Sequence, residues 1–150
     1  MRLLLDSHVF LWWLRDDRRL SRRARAAIAA PGASVVVSAA SIWEIAIKLS
    51  LGKLQWRDRP GVTPERSITA CGFGELPVTA RHAATVRNLP PHHGDPFDRL
   101  LVAQALTEDL RIVTADDVFA LYGAAVLGAE DRAWHSSASV GPVLTRRRGR

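Results

Sequence analysis

At 150 residues the chain has the length of one domain, and a hydrophobic content of 47% excludes a disordered polypeptide. The one cysteine, Cys71, excludes an intrachain disulfide and a thiolate zinc site. The net charge is +6 and the pI near 10.9; five arginines against two acids leave +3 after Gly128, and +3 for residues 1–128, a balance that suits a polyanionic partner without requiring one.

The apolar run Leu3-Leu4-Leu5 ends on Asp6 and reads as a buried strand. It is too short for a signal peptide, and no stretch reaches membrane-spanning length, so the expected compartment is the cytoplasm. His8 to Arg15 carries Val9, Trp12 and Trp13 at helical spacing. A second helix follows Ser21, an N-cap residue, and ends at Pro31-Gly32. Val35-Val36-Val37 reads as another buried strand. Ser41 to Leu51 is an apolar-periodic helix closed by Gly52. Residues 53–61 are loop-like, and a short helix follows Thr63-Pro64. Glu75 to Val78 is an edge strand, because Pro77 does not fit a central one. Ala80 to Leu89 is helical, and Asp95-Pro96 starts a helix reaching Leu106. A strand at Arg111–Thr114, a short helix at Asp117–Tyr122 and a strand at Ala124–Leu127 complete the pattern. Alternating strands and helices imply a three-layer α/β/α domain with a central, mainly parallel sheet. That domain is expected to occupy residues 1–128. Residues 129–150 have no apolar period and read as a basic, disordered tail.

Four acids share a place in this scheme. Asp6 ends the first strand, Asp116 lies just past the Arg111–Thr114 strand, Glu44 opens the helix after Val35–Val37, and Asp98 is in the first turn of its helix. In open parallel sheets, ligands bind outside the carboxyl ends of the strands. Carboxylates gathered there repel unless protons or cations intervene, and hard oxygen donors suit Mg²⁺ or Mn²⁺. Such an ion activates water for displacement at phosphorus without a histidine base. Each acid also has a structural reading. Ser41 to Glu44 is a capping-box pattern, Asp98 suits a helix dipole, Asp116 or Asp117 suits an N-cap, and Asp6 suits a strand-end turn.

Segments LLLDSHVFLWWL at 3–14, VSAASIWEIAIKLSLGKL at 37–54, HGDPFDRLLVAQAL at 93–106 and IVTADDVFALY at 112–122 give the chain a family likeness. It resembles the PIN-domain ribonucleases and, within them, the VapC-type toxins of bacterial toxin–antitoxin pairs. The resemblance implies a PIN-like fold, with Asp6, Glu44, Asp98 and Asp116 as catalytic, metal-binding acids. It implies a magnesium-dependent endoribonuclease, with Mn²⁺ as a substitute ion. It also implies an RNA substrate, a cognate antitoxin that blocks the site, and a homodimer. The alternative is a non-catalytic α/β signalling or partner-binding module. Phospho-receivers carry paired acids after the first strand, whereas here Ser7 and His8 follow Asp6.

Around these positions, Asp95 reads as a cap or a neighbour of the ligand, and Asp117 competes with Asp116. Thr114 and Ser7 offer hydroxyls near the acids. Arg99 suits either a phosphate or a carboxylate. His92-His93 reads as a solvated loop. Trp12, Trp13 and Trp43 are core or interface residues. Phe10, Trp12, Trp13 and Leu14 exceed what one face of a short helix buries, so an exposed partner surface is expected there. Lys48 and Lys53 are surface lysines or phosphate contacts.

Overall fold

The computed structural model describes residues 1–56 and 62–131. Its centre is β1 (Arg2–Leu5), in which Leu3, Leu4 and Leu5 are all fully buried. A strand buried on both faces needs apolar side chains at every position, which explains an unbroken leucine run where alternation would be found at a solvated sheet. Each leucine contributes roughly 1.5–3 kcal/mol by leaving water.

Five strands form one parallel sheet in the order β3-β2-β1-β4-β5. The outer members are β2 (Ser34–Ser38), β3 (Gly74–Leu76), β4 (Arg111–Thr114) and β5 (Val126–Gly128). β3 is an edge strand, with Pro77 just beyond its end, as the proline dictates. Successive side chains of β1 point to opposite faces. Leu3 and Leu5 therefore join a core with α1 (Ser7–Leu14), α2 (Arg22–Ala29), α3 (Ala39–Ser50) and α4 (Pro64–Ala70). Leu4 joins the opposite core, built from α6 (Pro96–Glu108) and the 3₁₀ turn Asp117–Tyr122. The first helix after β3, α5 (Ala80–Thr85), packs on α6 and runs into a 3₁₀ turn at Val86–Asn88. This is the expected three-layer arrangement.

Caps set most boundaries. Ser21 accepts the Ala24 N–H at 3.0 Å and starts α2. Asp95 accepts the N–H groups of Phe97 and Asp98 and starts α6. Gly52, at φ +68°, follows the end of α3, where a side chain would be strained. Several boundaries shift by a few residues, and one shift bears on the site. α3 begins at Ala39, capped by Ser38 through the Ala40 N–H, so Glu44 sits mid-helix and the Ser41–Glu44 capping box does not form. Ser41 Oγ is buried with no hydrogen-bond partner among the described residues.

The expected exposed patch on α1 shrinks to the partly buried Trp13 and Leu14. Phe10 is fully buried and Trp12 nearly so, while Trp13 is partly covered by Phe73 and Arg25. Arg19, from the turn after α1, lies 5.0 Å over the Trp12 ring and closes its outer side. Among the described residues the exposed tryptophan is instead Trp43. Packing continues past Gly128. Ala129 is fully buried, donating to Thr114 O and accepting from Ser21 N at 2.8 Å each. Residues 132–150, most of the expected tail, lie outside the described residues, as do 57–61 of the expected loop.

Candidate active site

The chain leaves β1 on one side to form β2 and returns to the other side as β4, so a crevice opens between β1 and β4 at the carboxyl ends of the strands. Asp6 is the first residue past β1. Its backbone N–H donates to Val113 O of β4 at 3.1 Å, and its side chain caps α1 through the Val9 N–H at 2.7 Å. It is buried, and burial pushes its carboxyl above the ordinary range, against hydrogen bonds from Thr114 and Val9. The Thr114 hydroxyl also accepts the Asp116 N–H at 3.1 Å, so one residue ties both strand-end acids together. Ser7 is buried beside Asp6.

Asp116 caps the following 3₁₀ turn, accepting the Val118 N–H through Oδ1 and leaving Oδ2 toward the crevice. Asp117, by contrast, is exposed. Asp98 stands one turn into α6, its pKa raised to about 7 by burial, then by Asp95, with Asp6 and Glu44 adding to the effect. Glu44 is buried on α3, with the Lys48 ammonium 3.8 Å away. Asp6, Asp98 and Asp116 line an open cleft of about 280 Å³, together with His8, Trp12, Ala115, Phe119 and Glu130. Glu44 approaches from the α3 side, near enough that its charge acts on both Asp6 and Asp98. Three of the four expected acids thus line one crevice from separate elements, and Glu44 stands beside it, lining the neighbouring cleft on the α3 side.

A fifth group belongs with them. His93 does not lie in a solvated loop. Its Nε2 is 2.9 Å from Asp116 Oδ2 and 3.0 Å from Asp98 Oδ2. Its Nδ1 accepts the Asp95 N–H at 3.0 Å, which leaves the proton on Nε2 to be donated to the acids. Its backbone N–H donates to the Tyr122 hydroxyl at 2.6 Å. The sequence signal for His93 was its place two residues before the helix cap Asp95; its acid partners lie across the fold. Arg99 pairs with no carboxylate among the described residues. Its guanidinium donates to the carbonyls of Pro90, Val86 and Leu89 and to the Tyr122 hydroxyl, and so braces the loop that presents His93.

These residues fit a divalent cation. Asp98 and Asp116 bring carboxylate oxygens within 4.8 Å of each other around His93 Nε2, and carboxylate oxygen dominates the donor set. An Asp98 carboxyl held near pH 7 by burial and neighbouring acids marks a pocket short of positive charge.

Residues 3–125 match the PIN domain. The chain belongs to the PIN-domain family. Within the family it is 34% identical over 122 residues to Ribonuclease VapC22 of Mycobacterium tuberculosis, covering 76% of this chain and 86% of that protein. Among solved PIN-like structures, VapBC2 from Rickettsia felis, bound to a DNA fragment from its promoter, superposes with a TM-score of 0.64. It has 12% identity, covering 85% of this chain and 98% of that one. FitAcB from Neisseria gonorrhoeae gives a TM-score of 0.55 at 24% identity, covering 89% and 99%. At those identities the two structures speak for the PIN fold alone. The VapC22 match, over most of both chains, places this PIN domain with the VapC-type ribonucleases.

Proposed function

We propose that this protein is a metal-dependent endoribonuclease and the toxin of a toxin–antitoxin pair. The observation that carries the reading is the crevice at the switch point of the sheet lined by Asp6, Asp98 and Asp116, with Glu44 beside it on α3, in a relative of Ribonuclease VapC22. Asp6, Glu44, Asp98 and Asp116 would hold Mg²⁺, with Mn²⁺ as a substitute. When bound, the ion supplies an activated water and offsets the charge that gathers on the phosphate during in-line displacement.

The chain's own groups prepare that site. Thr114 and the Val9 N–H fix the Asp6 carboxylate, and the Val118 N–H fixes one oxygen of Asp116. With a pKa of about 7, Asp98 exchanges its proton for a cation at little cost near neutral pH. His93 holds the remaining oxygens of Asp98 and Asp116 at a set separation. Water activated at the ion, rather than the ribose 2′-hydroxyl, is the expected nucleophile, so the expected products carry 5′-phosphate and 3′-hydroxyl ends.

Partners follow from relatives. VapBC2 and FitAB are solved bound to DNA, and a toxin–antitoxin complex from Klebsiella pneumoniae shares the fold, which supports a cognate antitoxin for this chain. A homodimer, a cytoplasmic setting and a domain at residues 1–128 with a basic tail belong to the same reading. No helix among the described residues is long and apolar enough to cross a membrane. The deciding experiment is cleavage of RNA by purified protein in Mg²⁺, with end-group analysis. Cleavage that persists in EDTA, or 2′,3′-cyclic phosphate ends, would overturn the mechanism.

A further inference from the structure

Helices α3 and α6, which carry Glu44 and Asp98, pack on each other. Near the acids, Trp43 stands edge-on to Phe97 with ring centroids 5.1 Å apart and planes at 72°. These two aromatics directly precede Glu44 and Asp98 in sequence. Roughly two turns further along α6, Gln104 Oε1 accepts the hydroxyl of Ser38, the N-cap of α3, at 2.6 Å. The contacts pass from Ser38 to Trp43 on one helix and from Gln104 to Phe97 on the other, so the two helices run antiparallel.

The two contacts differ in kind. Apolar contact is non-directional and Trp43 is exposed, so the ring pair tolerates a roll of one helix on the other. The Ser38–Gln104 bond is short and directional, and both side chains are fully buried. Gln104 is itself held. Its Nε2 donates to Pro77 O at 3.3 Å and stands 3.5 Å from His82 Nδ1. His82, also fully buried, closes the capping box of α5 with Thr79. Its Nδ1 accepts the Thr79 N–H, which leaves Nε2 to donate to Glu108 Oε1 at 2.7 Å. Gln104 and Glu108 lie one turn apart on α6, so that helix grips His82 at two levels.

Glu44 depends on this seat more than the other acids do. Backbone N–H groups hold the Asp6 and Asp116 carboxylates, and His93 holds Asp98. No hydrogen bond among the described residues holds the Glu44 carboxylate, and the Lys48 ammonium stands 3.8 Å away. Its place is therefore set by where α3 lies.

We propose that Gln104 is a positioning residue for the nuclease site. Anchored by Pro77 and His82, it binds Ser38, fixes α3 against α6, and so sets the place of Glu44 relative to Asp98. The inference rests on the metal-dependent reading above and adds a group, remote from the ion, that tunes the site.

The test is Mn²⁺ titration followed by electron paramagnetic resonance, with urea unfolding of each variant in EDTA. Gln104→Met fills the space without an acceptor and should weaken Mn²⁺ binding about tenfold. Ser38→Ala should do the same, and the double variant should be no weaker than either single one, because all three remove one bond. Ser38→Thr keeps the hydroxyl and should keep the parent affinity. Ile28→Ala removes core packing on α2, which carries none of the acids. It should lower stability at least as much as Gln104→Met and leave Mn²⁺ affinity unchanged. In RNA cleavage, Gln104→Met should lower kcat at unchanged KM. Unchanged Mn²⁺ affinity in Gln104→Met, or in Ser38→Ala where the first variant does not fold, overturns the proposal. Equal weakening in Ile28→Ala assigns the effect to general loosening and also overturns it. Either result, with Mn²⁺ bound by the parent, leaves the metal-dependent reading standing; a parent that binds no Mn²⁺ overturns both.

Discussion

Asp98→Asn removes a carboxyl whose ionisation the fold opposes. The Asp98 pKa rises from 3.8 in the unfolded chain to about 7 in the folded one, a difference of about 3 pH units. At about 1.4 kcal/mol per unit, ionised Asp98 destabilises the fold by about 4 kcal/mol. Below pH 4 the group is protonated in both states and contributes nothing. Between pH 4 and pH 7 the folded state keeps its proton and the unfolded state does not, so parent stability falls as pH rises. Above pH 7 the deficit is constant. Asparagine does not ionise and can still accept from His93 through its amide oxygen, so the variant lacks this slope. In EDTA, Asp98→Asn should match the parent near pH 4.5 to within about 1 kcal/mol and exceed it by about 3–4 kcal/mol at pH 8. In melting temperature that is roughly 2–4 °C per kcal/mol. Urea titrations at both pH values measure it. A gap that stays constant from pH 4.5 to pH 8, or a variant less stable at pH 8, would refute the argument. Asp6, also raised by burial, adds a slope of its own to both curves.

Three other outcomes follow from the same geometry. His93→Ala removes the donor shared by Asp98 and Asp116, so the metal-free protein should lose about 1–2 kcal/mol in urea unfolding, and cleavage should fall. Mn²⁺ at a hundred times its Kd should stabilise the protein by about 2.7 kcal/mol, an increment that Asp98→Asn sharply reduces in thermal melts. Trp12→Ala should cost about 3–5 kcal/mol of stability, because that ring is nearly buried; a variant as stable as its parent would restore the exposed-surface expectation for α1.

The elements were legible wherever local chemistry decides them. Leu3–Leu5 and Val35–Val37 are apolar at every position because strands inside a parallel sheet have no wet face, and Ser21 and Asp95 cap where side-chain oxygens meet free N–H groups. The four acids were legible as a group because strand ends in such a sheet point one way. What escaped depends on contacts far apart in sequence. Ser38 and Ser41 are equally good caps locally; Ser38 prevails because it ends β2 and also donates to Gln104 Oε1 of α6 at 2.6 Å. His93 meets Asp116, 23 residues on, only because Arg99 and Tyr122 shape its loop. Trp12 and Trp43 look alike in a helical pattern, yet Arg19 covers one and nothing among the described residues covers the other to that degree.

The pairing of β1 with β4 has a consequence for synthesis. Leu3–Leu5 stand against Arg111–Val113, and the Asp6 N–H bonds to Val113 O, so the first strand waits for a partner made more than 100 residues later. At translation rates of about 5–20 residues per second, that wait lasts roughly 5–20 s. A nascent or truncated chain ending before residue 111 already carries Asp6, Glu44 and Asp98, but not the strand that closes the crevice or the acid that follows it. A cell translating this protein therefore meets its cutting edge only when the domain is almost entirely made, which leaves time for a neutralising partner to be ready.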